Sequence, residues 1–272
     1  MKRIISVFLL AVVALSLTAC GPGKYNFGFN APDQFPPLET RAPGSYNNPD
    51  DPEQTSGETT APPPPAHSDL YIKGIGTELM MSYFAEICID SDVDEEGNIK
   101  GLQRWTDPIY YVIYGSCTPE DKTAIEDFAG YLNSIDGFPG IYESTDYLKT
   151  NFEFYFCTET DIINRLGPGF AGANAAMQFE DEESEIYEGV ICLRTDIDQA
   201  VRTAEIKRQL CKVIGATGES ELREDSAFYY ENTLDFDLTD VDKVVLQLFY
   251  NIKMLTGLDY IYSERIIEKL YY

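Results

Sequence analysis

The sequence predicts an α+β domain over residues 68–272, in which strands come early and helices late. Short apolar runs with strand-like alternation come before longer segments with helical periodicity, and this order is typical of the α+β class. A length of 205 residues is normal for one domain. Hydrophobic residues make up 44% of the chain and aromatic residues 13%, which is ample material for a single core.

The N-terminus has the layout of a bacterial secretory signal. Lys2 and Arg3 precede an apolar run over residues 4–17, which is shorter than the roughly 20 residues of a membrane span. The run ends in Leu-Thr-Ala-Cys20, which resembles the bacterial lipobox. This resemblance predicts a signal peptide over residues 1–19 and a lipid on Cys20, and so an extracytoplasmic protein anchored to the cell membrane at the cell surface. Ordinary A-x-A cleavage is the alternative.

Residues 20–67 are predicted to form a disordered linker behind that anchor. The segment is rich in Pro, Gly, Asn, Asp and Thr, and it ends in four consecutive prolines at 62–65. Such a composition buries too little apolar surface to offset the entropy of ordering, and a polyproline run is stiff. We therefore expect a flexible tether with a stiff end.

The charge balance is strongly acidic. Asp and Glu number 46 against 20 Lys and Arg, a net charge of −26, and removal of residues 1–19 takes away two basic residues to leave −28. Such a surface repels nucleic acid and anionic polymers. We therefore expect no nucleic-acid partner, and we interpret the charge as solubility outside the cell.

The first half of the domain should contain two strands and three helices. Thr77 is predicted to cap the first helix, Thr118 a helix running to about Ser134, and Thr158 a short helix ending at Gly167. Strands are predicted over 109–114 and 152–157. The apolar face of the first helix is expected to contain Leu79, Met80, Tyr83, Phe84 and Ile87.

The second half should contain two strands followed by three helices. Strands over 175–179 and 186–194 flank an acidic run at 180–185, and a long helix is predicted over 198–214, closed by Gly215. Two further helices are predicted over 239–254 and 263–270. The buried face of the long helix is expected to contain Ile206, Leu210, Val213 and Ile214.

The histidine content excludes several classes of enzyme. The chain has one histidine, His67, and it lies in the linker. A Ser-His-Asp or Cys-His arrangement needs a histidine inside the fold beside the nucleophile. A catalytic zinc site of the H-E-x-x-H type needs two. Pairs of carboxylates are common in so acidic a chain and usually belong to a solvated surface.

Two further patterns leave alternatives open. Asp90, Asp92 and Asp94 have the D-x-D-x-D spacing that begins a calcium loop, but the required glycine and bidentate glutamate are absent, so a polar turn is favoured over a weak cation site. Five cysteines besides Cys20 have no C-x-x-C spacing. Cys157 and Cys192 either pair as a disulfide or stay as small buried thiols.

Three stretches together resemble a known family. They are R-W-T-D-P-I at 104–109, the long helix closing in Ile214-Gly215, and L-T-D-V-D at 238–242 continuing to Leu248-Phe249-Tyr250. Their order is similar to that of an uncharacterised family of bacterial secreted proteins and lipoproteins related to zincin-type metalloproteases. The resemblance covers most of residues 75–258 and implies a zincin-like mixed sheet with a long helix at the former metal-site position.

The metal motif of that family is degenerate in this chain. Arg208 stands where the family has its histidine, Gln209 where it has glutamate, and Lys212 where zincins have the second histidine. Two cations and an amide cannot hold a dication, so the resemblance implies no metal, no cofactor and no catalytic residue. These three residues form either a recognition site or an exposed helix face.

The expected function is that of a cell-surface lipoprotein whose non-catalytic domain acts as a binding or structural module. The expected partner is an unknown protein or cell-envelope component. The alternative is a carboxylate-dependent hydrolase, either a peptidase or a cell-wall hydrolase.

Overall fold

The computed structural model describes residues 68–93, 99–232 and 235–271. The signal sequence, Cys20 and the linker with His67 lie outside those residues, so their interpretation stays a prediction. Among the described residues, no helix combines the length and the apolar character needed to cross a bilayer.

Six α-helices and eight β-strands make up the described part. The helices are α1 (Thr77–Cys88), α2 (Pro119–Asn133), α3 (Glu159–Leu166), α4 (Gln199–Val213), α5 (Asp240–Phe249) and α6 (Tyr260–Tyr271). The strands are β1 (Asp90–Val93), β2 (Ile99–Gly101), β3 (Arg104–Trp105), β4 (Ile109–Gly115), β5 (Ile141–Glu143), β6 (Phe152–Cys157), β7 (Ala175–Glu182) and β8 (Glu185–Arg194).

The main sheet is mostly parallel. Its order is β3-β8-β6-β4-β5, all parallel pairs, and β7 joins β8 in an antiparallel hairpin. Parallel neighbours need a crossover connection, and α2 supplies it between β4 and β5. The expected segregation of early strands from late helices is therefore wrong, because helices and strands alternate. The domain has a mixed α/β fold.

Residues 90–93 and 99–101 form two short strands that the sequence did not predict. β1 pairs with β2 antiparallel, with Asp90 opposite Gly101. The prediction of a polar turn is therefore wrong for residues 90–93, which form β1. Asp94 and the side chains of Asp90 and Asp92 lie outside the described part, so the weak cation site stays untested.

Three helices begin with a threonine capping box. The hydroxyl groups of Thr118, Thr158 and Thr239 each accept a hydrogen bond from the backbone N–H three residues on, and the aspartate side chain there accepts one from the backbone N–H of the threonine. The predicted starts at Thr118 and Thr158 are thus confirmed. Thr77, by contrast, is the first residue of α1, and Gly76 is its cap.

The remaining helix predictions hold in part. α4 begins after Asp198 as expected and ends at Val213, one residue before the predicted limit, with Gly215 at a φ of 109° just beyond it. Leu79 is 40% exposed, however, whereas Met81 of α1 is buried. The last two helices are displaced from their predicted limits: α5 ends at Phe249 rather than residue 254, and α6 begins at Tyr260 rather than residue 263.

The core lies between the sheet and helices α1, α2, α4 and α5. The four predicted residues of the buried face of α4, Ile206, Leu210, Val213 and Ile214, are fully buried there. A smaller cluster of Ile162, Ala176 and Cys192 packs α3 on the other face. All five cysteines of the described part are free thiols, and burial raises the pKa of Cys192 to about 12.

The acidic run lies mostly within the β7–β8 hairpin rather than between two strands. β7 extends to Glu182 and β8 begins at Glu185. The turn consists of Glu183 and Ser184, with positive φ values of 50° and 67°. A two-residue turn with both φ values positive matches the twist of a hairpin, so both strands continue through the acidic residues.

Candidate functional site

A cleft of about 280 Å³ opens between α4 and the residues that lead into β7. Its floor carries Glu205, Arg208, Gln209 and Lys212. The last three follow Glu205 by three, four and seven residues, a spacing that places all four on one face of a helix. The structure thus brings together the three residues that the resemblance identified, and it adds Glu205.

The floor of the cleft is largely shielded from solvent. Gln209 is 7% exposed, and the side chains of Arg208 and Lys212 are 12% and 22% exposed. An exposed helix face, one of the two interpretations from the sequence, is therefore wrong for Gln209 and Arg208. Their polar groups face a concave surface instead.

Glu205 organises the polar groups of the floor. Its Oε1 accepts a hydrogen bond from Arg208 Nη1 at 2.6 Å, and its Oε2 accepts one from Gln209 Nε2 at 3.1 Å. Sequence reasoning missed Glu205, although a glutamate one helical turn before an arginine and a glutamine is a recognisable pairing signal. The carboxylate is buried and holds both neighbours in place.

Arg208 also joins α4 to the loop that closes one end of the cleft. Its Nη2 donates to the carbonyl oxygens of Asn232 at 2.8 Å and Asp235 at 3.3 Å. The guanidinium carbon lies 5.4 Å from the ring centroid of Phe236, a cation–π contact. Arg208 therefore fastens this loop to the helix.

Lys212 makes a simpler contact. Its Nζ donates to Glu219 Oε1 at 2.8 Å, and the Glu219 side chain is 52% exposed. Pairs of this kind contribute on the order of 0–1 kcal/mol to stability, because water screens them. The charge of Lys212 is thus the least constrained part of the floor.

One wall of the cleft is the start of an edge strand. Ala173, Asn174 and Ala175 line it, and the carbonyl oxygen of Asn174 accepts a hydrogen bond from Arg194 N at 3.0 Å. Among the described residues, β7 pairs with β8 alone, so its second edge has no strand partner. An edge of this kind presents unpaired backbone N–H and C=O groups.

The opposite wall is built from two chain segments, residues 218–220 and 227–230. Ser220 N donates to the Phe228 carbonyl at 2.8 Å, and Tyr230 N donates to the Ser220 carbonyl at 3.2 Å. Gly218 lies against α1, where a Cβ atom would stand 1.8 Å from the carbonyl oxygen of Glu86. A side chain at position 218 would displace this wall.

Asp242 forms hydrogen bonds that fix the second of these segments, residues 227–230. Its Oδ2 accepts from the backbone N–H of Ala227 at 3.0 Å and of Thr239 at 2.8 Å, and its Oδ1 accepts from Ser226 Oγ at 2.9 Å. Tyr83 bonds to both Ser226 and Asp242, and burial together with the Asp242 charge raises the pKa of Tyr83. The L-T-x-x-D motif thus starts α5 and shapes the cleft wall.

The polar groups of this cleft are arranged as ion pairs rather than as a cluster of metal ligands. Within the described residues, no three His, Cys, Asp or Glu side chains lie together as a ligand set for a metal ion. Glu205 and Glu219 are the carboxylates that line the cleft, and each already accepts a hydrogen bond from a cation on α4.

The fold and this site define a mixed α/β domain with one polar, helix-floored cleft beside an edge strand. A family model described as a protein of unknown function (DUF2927) matches residues 77–269. The chain therefore belongs to the DUF2927 family. No curated protein matches the sequence.

Proposed function

We propose that this domain is a non-catalytic binding module whose ligand occupies the cleft between α4 and β7. The observation that carries the proposal is the position of Arg208, Gln209 and Lys212. They line a concave surface together, and by the resemblance drawn from the sequence they fall at the position of the zincin metal-binding motif. A zincin-like ancestry, in which a catalytic cleft lost its metal and kept its shape, accounts for a polar cleft above a long helix.

The proposed ligand is an extended segment of another protein. β7 offers an unpaired strand edge to the cleft, and an extended peptide adds to such an edge through main-chain hydrogen bonds. Ala173 and Ala175 leave room beside that edge, since neither side chain projects beyond a methyl group. A lipid anchor on Cys20 would display the module at the cell surface, where such segments are accessible.

Blocking the cleft tests this proposal. An array of extended decapeptides is probed with the fluorescently labelled chain and with two variants. Ala173→Arg places a long side chain in the cleft and should abolish the binding seen with the unchanged chain. Ala171→Arg is the matched control, because Ala171 is exposed and does not line the cleft. Equal binding by both variants would refute the site.

The alternative is a carboxylate-dependent hydrolase of peptides or cell-wall material. Under that alternative, the arrayed or soluble substrate would be cleaved, and Glu205→Gln would stop the cleavage. Glu205 and Glu219 each form an ion pair with a cation of α4. We favour the binding module because neither carboxylate is left free to act as an acid or a base.

A further inference from the structure

Lys212 differs from Arg208 in how its charge is used. Arg208 bonds to one carboxylate and two backbone carbonyls, so its guanidinium group stabilises the fold and is already paired. Within the described residues, Lys212 has one hydrogen-bond partner, the half-exposed Glu219. Replacing that partner would leave the rest of the cleft as it is.

The backbone that carries Glu219 is fixed, so its side chain can move alone. The N–H of Gly218 donates to the Ile87 carbonyl at 3.0 Å, and the close approach to Glu86 leaves no room to shift inward. Ser220, on the other side of Glu219, is buried and donates to Glu86 Oε2 at 2.6 Å. A rotation of the Glu219 side chain therefore releases Lys212 without rebuilding the wall.

A cation so placed complements an anionic ligand. The chain carries 46 acidic residues against 20 basic ones. In so acidic a chain, a cleft lysine whose partner is a single half-exposed carboxylate is a notable feature. The same cleft is also lined by the small or aromatic residues Ala227 and Phe228. Beside apolar groups, a charge-assisted hydrogen bond is stronger than one in open solvent.

We propose that the ligand carries a carboxylate that replaces Glu219 on Lys212. The inference rests on the proposed function, because it names the group by which the extended peptide is recognised. Glu219 then acts as an internal stand-in that occupies Lys212 until the ligand arrives. The carboxylate belongs either to the C-terminus of the peptide or to an Asp or Glu side chain.

The test uses the same decapeptide array, synthesised with each sequence both as a free C-terminal acid and as a C-terminal amide. One subset carries a single Asp or Glu and an amide end. The labelled full chain should bind acid-bearing peptides about tenfold or more tightly than the same sequences without a carboxylate. The two subsets separate a terminal carboxylate from one on a side chain.

Two conservative variants assign the effect to the ion pair. Lys212→Met keeps the aliphatic length and should remove the preference for a carboxylate. Glu219→Gln removes the stand-in and should tighten binding several-fold, and because the side chain is half exposed this change leaves folding intact. Melting curves of both variants should show that the fold is retained.

The outcomes separate the two proposals. If peptides bind, Ala173→Arg blocks them, and neither the carboxylate nor Lys212→Met matters, the inference is wrong while the binding module stands. If no peptide binds, or binding ignores Ala173→Arg, the module itself is refuted. Tighter binding by Glu219→Gln together with loss in Lys212→Met supports the inference.

Discussion

At the scale of single residues, neighbouring cations on α4 have unequal roles. Arg208 is largely shielded from solvent and bonds to Glu205 and two loop carbonyls, whereas Lys207 pairs with the exposed Asp237 at 2.8 Å. We expect Arg208→Ala to lower the free energy of unfolding by about 2 kcal/mol, since it leaves a buried carboxylate without its cation. Lys207→Ala should cost about 0.5 kcal/mol. Urea denaturation measures both.

This expectation replaces the one that the sequence favours. An arginine on an exposed helix face would cost little to remove, but the structure places Arg208 at the junction of helix and loop. Equal losses of stability in the Arg208 and Lys207 variants would show that the loop is held by other contacts.

The opposite face of the same helix gives a second prediction. Leu210 is fully buried in the core, so Leu210→Asp places an unpaired charge there and should prevent folding, with a cost of several kcal/mol. Leu210→Met, which nearly conserves volume, should cost less than about 1.5 kcal/mol. Circular dichroism compares the two. A folded Leu210→Asp variant would mean that α4 is turned the other way.

Some residues of the candidate site could be predicted from the sequence, and others could not. Arg208, Gln209 and Lys212 were singled out from the sequence by its resemblance to a zincin-like motif, and the structure places all three in one cleft. Glu205 and Asp242 were missed, since a chain with 46 acidic residues offers no way to separate a buried carboxylate from a solvated one. Burial is a tertiary property, and it decides which carboxylates organise the cleft.

At the scale of elements, helix starts were predictable because they are local. A threonine followed three residues later by an aspartate satisfies two free N–H groups within one turn, as Thr118 and Thr158 show. β1, β2, β3 and β5 were missed because strands of two to four residues have too few positions for alternation to be recognised. Parallel pairing could not be predicted either, since it depends on which distant strands meet.

The junction of α2 and α4 carries a prediction about pH. Asp121 is fully buried and accepts hydrogen bonds from Arg202 Nε at 2.8 Å, Gln199 Nε2 at 2.7 Å and Thr118 N at 3.0 Å. Burial alone would raise the pKa of Asp121, but the hydrogen bonds from Arg202, Thr118 and Gln199 outweigh it, and the pKa lies below its ordinary 3.8. The ionised form therefore stabilises the fold.

The sign of the effect follows from that lowered pKa. The stabilisation is complete above pH 3.8, the ordinary value, and is lost as the pH falls through the folded pKa. Asp121→Asn should cost about 3 kcal/mol at pH 7, because Arg202 is left buried without its carboxylate. The difference in the free energy of unfolding between the unchanged protein and Asp121→Asn should decrease when denaturation is measured at successively lower pH. A difference that stays constant with pH would contradict the ion pair between Asp121 and Arg202.

At the scale of the whole molecule, we predict that the lipid on Cys20 sets the location of the domain. We expect Cys20→Ser to release the protein from the membrane fraction or to leave an uncleaved precursor, because no thiol remains for the lipid. Fractionation and fatty-acid labelling check this, and Cys117→Ser is a control that keeps the lipobox. Unchanged labelling of the Cys20 variant would rule out the anchor.

The last prediction concerns where the folded domain begins. Ser68 Oγ donates to the Tyr271 carbonyl at 2.7 Å, and the ring centroids of Tyr71 and Tyr271 lie 5.6 Å apart, so residues before α1 bind the end of α6. A chain of residues 68–272 should therefore melt in one cooperative transition at the temperature of the full chain. A chain of residues 77–272 loses these contacts and should melt several degrees lower. If residues 68–272 fail to fold while residues 20–272 fold, part of the linker belongs to the domain.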